Sequence, residues 1–223
     1  VFPIRHEVET GMISGKKTWK DILSTRALRT RLLAIAIFLL IVLSLFRQFL
    51  EFVESRKGVV FDDPLLRLFD PVELSWLTFA LVYGGIIATI AILRAHPLLL
   101  LRALLSYALM VIIRGILMFA LPLDPPPTAI PLVDPLVQLF GSGTVLTRDL
   151  FFSGHTATMV VMGLSMPSRL LKSLFFAGAA AIAACVLLQH VHYAVDVLVA
   201  PLAAYAAYRA GRRVVPEPSP TKA

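Results

Sequence analysis

The residue types best placed to do chemistry are two histidines, an aspartate and an arginine. His192 and Asp196 stand four apart in HVHYAVDVLVA. On a helix that spacing puts both side chains on one face. A carboxylate there holds one ring nitrogen, fixes the tautomer and leaves the other nitrogen as a nucleophile or base. The bland alternative, an interfacial histidine beside a solubilising acid, is weakened by an Asp lying inside an apolar run. His155 stands in DLFFSGHTATMV. Ser153-Gly154 reads as a helix start, with Ser153 as a candidate cap and backbone N–H groups behind it that suit a phosphate oxygen. Arg114, in VIIRGILMFALP, lies about two turns below the end of an apolar block. At that depth a guanidinium must meet an acid, a carbonyl or an anionic ligand. It either pairs structurally with Asp196 or clamps a phosphate bidentately, which suits Arg better than Lys.

Taken together, these residues point to phosphoryl chemistry without a metal, in which one histidine attacks phosphorus and the other protonates the leaving oxygen. His190 is a spare base, ranked second because Ala194, not an acid, stands four residues beyond it. No metal and no cofactor are expected, although two histidines and a carboxylate are also a zinc-type donor set. The single cysteine, Cys185, lies in an apolar block and reads as a packing residue.

The elements that must position these groups are apolar. Of 223 residues, 58% are hydrophobic and 16% charged, with mean hydropathy +0.82. A soluble domain has nearer half and a quarter. The excess comes in long blocks, which excludes a soluble enzyme, a disordered chain and a disulfide-stapled module. The expected class is an all-α integral membrane protein, a bundle of six transmembrane helices. Its spans are Leu32 to Phe46, Leu74 to Leu93, Pro97 to Leu121, Thr156 to Leu171, Leu174 to Leu188 and Tyr193 to Tyr208. Several are shorter than the ~20 residues of a full crossing, and snorkelling Lys/Arg and interfacial Tyr/Trp make up the difference.

The net charge of +7 is read as topology charge, with no nucleic-acid partner, because no basic stripe interleaved with aromatics occurs. With the N-terminus inside, fifteen of the 21 lysines and arginines, Arg102 among them, fall on the cytoplasmic side. Five (Arg47, Arg56, Lys57, Arg67, Arg148) fall outside, and Arg114 lies in a span. That asymmetry predicts both termini in the cytoplasm, and hence His155 and His192 at one depth on the outer, periplasmic or lumenal side. Residues 1–31 read as a basic cytoplasmic segment rather than a cleaved signal peptide. It is either an amphipathic helix using Trp19, Ile22, Leu23 and Leu28, or a solvated tail. Residues 32–208 form the membrane domain, and 209–223 a disordered cytoplasmic tail.

The chemistry-bearing stretches have a family likeness. RDLFFSGHTA and QHVHYAVDVLVA resemble the third and fourth signatures of the sphingomyelin synthase family, within the lipid phosphatase/phosphotransferase superfamily. Arg102 and Arg114, followed by Leu121-Pro122, are similar to the second signature, and Asp63-Pro64-Leu65 distantly to the first. The chain looks like a short, bacterial-type member without the N-terminal SAM domain of one subgroup. The resemblance implies His192 as nucleophile, Asp196 as its orienting acid and His155 as acid/base. It departs from the phosphatase branch in having no K-x6-R-P, Val186 where that branch has an Arg six before the nucleophile, and Phe152 where it has Pro. The expected activity is therefore transfer of a phospho-head-group from a phospholipid donor to a ceramide-like or diacylglycerol acceptor. A phospho-histidine intermediate and a phospholipase C-type side activity go with it, and Arg114, Ser153 and Gly154 hold phosphate. The alternatives are a lipid phosphatase or phospholipase C-type hydrolase using the same residues, and a non-catalytic transporter or scaffold.

Overall fold

The structure, a computed structural model, describes residues 18–134 and 146–215. These residues form helices joined by irregular segments, with no strand among them. In chain order they are α1 (Trp19–Ser24), α2 (Arg26–Ser55), α3 (Ser75–Leu93), α4 (Pro97–Ala120), α5 (Gly154–Ser165), α6 (Arg169–Leu188) and α7 (Ala194–Val214). The helix limits follow local chemistry. Pro97 opens α4 at a position where its missing N–H costs nothing. Pro167 forces Met166 into extended backbone and so ends α5. Ser168 then caps α6 by accepting from Leu171 N at 3.2 Å.

The last six helices coincide with the six apolar blocks, but only four are both long and apolar enough to cross a membrane: α2, α3, α4 and α6. At 12 residues α5 is about 18 Å long, short of the ~30 Å hydrocarbon core. In α7 the apolar run is broken by Asp196, Pro201 and Arg209. Several long apolar helices fit an integral membrane protein.

α4 is central, packing chiefly against α7 and α2, while α5 is wedged between α6 and α7. Small residues bring α7 close: Ala200, Ala203, Ala204, Ala207 and Gly211 form its buried stripe. A Cβ at Gly211 would lie 2.4 Å from Ser106 Oγ of α4. The helices alternate in direction, which gathers the ends of α2, α4 and α6 with the starts of α3, α5 and α7. Arg56 reaches Phe119 O there (3.2 Å), and Leu188 O accepts from Val72 N (2.8 Å).

At the opposite end the expectations need correcting. α1 is held by a capping box between Thr18 and Asp21, and Trp19 Nε1 donates to Arg94 O at 2.6 Å. Ile22 is fully buried with Ile35, Leu101, Leu105 and Val215, so this turn docks on the bundle rather than standing as a solvated tail. Residues 209–214, expected as tail, continue α7 because its last turn packs there and Val215 is buried. Arg102, counted above as a topology charge, is fully buried and donates from Nε to Val215 O (3.0 Å), a cation on the negative end of α7. The remaining parts of the two terminal segments, 1–17 and 216–223, lie outside the described residues.

Candidate active site

α7 starts where Asp63, 131 residues away in sequence, caps it: Oδ2 accepts from Ala194 N at 2.6 Å and Oδ1 from Leu65 N at 2.9 Å. Asp196, three residues into the helix, points back. Its Oδ2 accepts from Tyr193 N at 3.2 Å and lies 3.1 Å from His192 Nδ1. Both side chains are buried, Asp196 completely. A carboxylate only accepts, so Nδ1 carries the proton and Nε2 keeps its lone pair. The positive end of α7 stabilises the carboxylate.

The turn carrying His192 is held by residues whose sequence pattern did not announce a role. Gln189 is fully buried, takes a hydrogen bond from Leu74 N (3.0 Å) and donates to Ser75 Oγ (2.9 Å) and Ile130 O (3.1 Å). Tyr193 accepts from Phe61 N (3.1 Å) and donates to Asp124 O (2.8 Å). Asp124 also pairs with Arg148 at 2.6 Å, which holds its carboxyl below the usual carboxylate range. Arg148 in turn donates to Glu54 O at 2.7 Å, joining the end of α2 to the segment that enters α5.

His155 opens α5. Ser153 stands at the cap position, but its hydroxyl meets Thr156 Oγ1 (3.0 Å) and its N–H is spent on Asp196 O (3.2 Å). The side-chain cap expected of Ser153 is therefore not formed; the residue ties the start of α5 to that of α7. The first helical bond runs from Ala157 N to Ser153 O (3.1 Å), so the N–H groups of Gly154, His155 and Thr156 have no intrahelical acceptor. His155 stacks edge-on against Phe79 (5.5 Å between centroids), and its buried Nδ1 has no hydrogen-bond partner among the described residues.

Arg114 does not reach Asp196. Its Nε donates to Phe152 O and its Nη2 to Asp149 O, both at 3.0 Å, and Nη2 pairs with Asp149 Oδ1 at 2.6 Å. Its bidentate edge is therefore committed to the segment leading into Ser153-Gly154-His155, and Nη1 is the nitrogen without a hydrogen bond among the described residues. Gly154 makes room, since a Cβ there would sit 2.8 Å from Arg114 Cζ and Nη1.

His155 and His192 face one cavity of about 310 Å³, walled by Pro125, Pro126, Pro127, Leu132 and Asp149 among others. An adjoining space of about 250 Å³ holds Arg114, Gly154 and His155 again, with Asp134 and Tyr83. Tyr83 Oη lies 2.7 Å from both Asp134 oxygens. That pair has no signature in the sequence, since Tyr83 and Asp134 stand 51 residues apart. His190 lies apart: its Nδ1 is 2.6 Å from Thr128 Oγ1, and it lines a separate cavity with Asp63, Asp70 and Tyr193.

The arrangement pairs an oriented imidazole with a second imidazole across a cavity bordered by a guanidinium and helix N–H groups that lack intrahelical acceptors. It can attack, protonate and stabilise at phosphorus. Residues 148–210 match the family model described as PAP2 superfamily C-terminal, a span that takes in His155, His192 and Asp196. The match supports the lipid phosphatase/phosphotransferase superfamily and fits an enzyme of that type. No curated protein matches the chain.

Proposed function

We propose that this chain is a six-span membrane phosphotransferase that moves a phospho-head-group from a glycerophospholipid to a ceramide-like or diacylglycerol acceptor. The observation that carries the reading is the buried His192–Asp196 pair facing His155 across one cavity. His192 Nε2 attacks phosphorus, the P–O bond to diacylglycerol breaks, and His155 passes its proton to the departing oxygen. His155 then takes the proton of the acceptor hydroxyl, whose oxygen attacks phosphorus and releases His192. Arg114 Nη1 and the N–H groups of Gly154 and His155 supply donors for the phosphoryl oxygens. Val186, where the phosphatase branch has an arginine, is fully buried among apolar residues. The absence of a second cation at that position favours transfer of a substituted phosphate over hydrolysis of a dianionic monoester.

The test uses purified protein in mixed micelles with head-group-labelled phosphatidylcholine or phosphatidylethanolamine, with and without ceramide or diacylglycerol. A labelled lipid product that requires the acceptor is expected, and activity should survive exhaustive chelation. Label released to water at the same rate without an acceptor would make the chain a hydrolase. Loss on chelation, restored by zinc or magnesium, would overturn the metal-free chemistry.

The same reading puts the site on the outer face, with both termini in the cytoplasm. Leu68, in the segment between α2 and α3 at the site end, is 76% exposed, and the native Cys185 is buried. A Leu68→Cys variant is expected to react with an impermeant thiol reagent in intact cells. Labelling only after permeabilisation would invert the topology.

A further inference from the structure

A second, almost wholly apolar space of about 510 Å³ opens between α2 and α4. Its walls include Phe46 and Phe49 of α2 and Val111, Gly115, Ile116 and Phe119 of α4. We propose that this groove holds an acyl chain of the lipid substrate, laid in from the bilayer with its polar end at Arg114 and His155. The proposal rests on the lipid-transferase reading and adds where the chain of that substrate lies.

Four observations point to an acyl chain. First, the groove adjoins the site: Phe46 and Val111 wall both it and the space holding Arg114 and His155. The Phe46 ring is the partition, with Arg114 Cζ 5.8 Å from its centroid. An occupant passing this ring therefore changes from hydrocarbon surroundings to a cation within one ring's width.

Second, the length suits one leaflet. On α2 the groove runs from Phe38 to Phe49, a rise of about 16 Å. That is roughly half of a ~30 Å hydrocarbon core, and it lies at the site end of both helices. Third, Gly115 leaves space that helix packing does not demand. A Cβ there would lie 3.8 Å from the Phe46 ring and 3.9 Å from Phe49, ordinary contact distances. The glycine is not required for α2 to approach α4, yet any larger side chain would project into the groove. Fourth, the outer mouth carries a cation at head-group level. Arg56 lies over the rings of Phe52 (5.4 Å) and Phe119 (5.2 Å) and donates to Phe119 O.

The experiment compares wild type, Gly115→Phe and, as a control on the lipid-facing side of α3, Ile87→Phe, which is 68% exposed in the wild type. Each full-length protein is assayed with a dioleoyl and a dihexanoyl phospholipid bearing the same labelled head group. Gly115→Phe is expected to lower kcat/KM for the dioleoyl donor by about tenfold or more. Its rate with the dihexanoyl donor should stay within about twofold of wild type, and Ile87→Phe should match wild type on both. Equal loss on both donors, or no loss on either, would overturn the proposal, the latter leaving the groove an annular-lipid site only. No turnover of either donor by wild type would instead bring down the transferase reading, and the groove assignment with it.

A second measurement does not depend on Gly115→Phe folding. A phospholipid with a diazirine midway along one acyl chain is expected to crosslink wild type at residues 111–119 and to be displaced by excess unlabelled donor. Crosslinking there that excess donor does not reduce would overturn the assignment.

Discussion

His192→Ala is expected to reduce turnover by about four to six orders of magnitude, the range seen when a covalent nucleophile is removed. The substitution also withdraws the donor that His192 Nδ1 places 3.1 Å from Asp196. Asp196 then keeps only the Tyr193 N–H on Oδ2, at a cost of about 1–3 kcal/mol. Melting and size-exclusion profiles should therefore shift modestly while the bundle persists. Asp196→Asn separates orientation from attack: the amide can donate to Nδ1 and select the wrong tautomer, and a loss of about 10³–10⁴ is expected. Labelled head group should remain on neither variant after rapid denaturation in alkali, where phospho-histidine survives. His155→Ala should accumulate it only slowly, because His155 both protonates the departing oxygen as the intermediate forms and deprotonates the acceptor that releases it. A His192→Ala protein that folds and keeps more than a few per cent of wild-type turnover would remove His192 from the nucleophile's role.

The H-x-x-x-D pair was legible because it is local, but the expected shared helix face is not what joins it: His192 lies in the turn before α7, and Asp196, in the first turn of that helix, reaches back to it. The six helices were legible for a related reason, since hydrophobic blocks announce themselves whatever their neighbours. Their status as crossings was less so. Hydropathy carried the fourth block past Met166-Pro167, where backbone sterics end α5 and leave it 12 residues long. What stayed hidden depends on contacts between distant segments. Arg114 was expected to seek Asp196 or a phosphate, yet it spends three interactions on residues 35 and 38 positions away, Asp149 and Phe152. Asp63 carries only a distant family likeness in sequence, and the docking of its segment makes it the cap of α7. The surroundings of Arg102 and Ile22 were hidden in the same way, since a charge or an apolar residue near a helix end does not announce what packs on it. In the folded chain Arg102 donates to Val215 O just past α7, and Ile22 packs on Ile35, Leu101, Leu105 and Val215.

Arg114→Lys is expected to lower turnover by about 10²–10³ while leaving the protein folded. An ammonium is a single point of charge and cannot reproduce a planar fork that holds Phe152 O, Asp149 O and the Asp149 carboxylate together. Those interactions fix the strand of chain that ends in Ser153-Gly154-His155, so their loss displaces His155 as well as the remaining Nη1 donor. Arg114→Ala is a harsher change, since it leaves the Asp149 carboxylate partly buried without its cation, at about 3–5 kcal/mol. Gly154→Ala reaches the same guanidinium from the other side. The added methyl would meet Cζ and Nη1 at 2.8 Å, so the fork has to shift, without any change of charge. If both substitutions act by misplacing one group, the loss in the Arg114→Lys/Gly154→Ala double variant should fall well short of the product of the single losses. Purely multiplicative losses would mean that the two residues act independently. Arg114 would then be a phosphate ligand alone, and Gly154 a matter of α5 backbone. The discriminating measurement is kcat/KM for all four proteins on one labelled donor, with stability followed in parallel so that unfolding is not counted as lost chemistry.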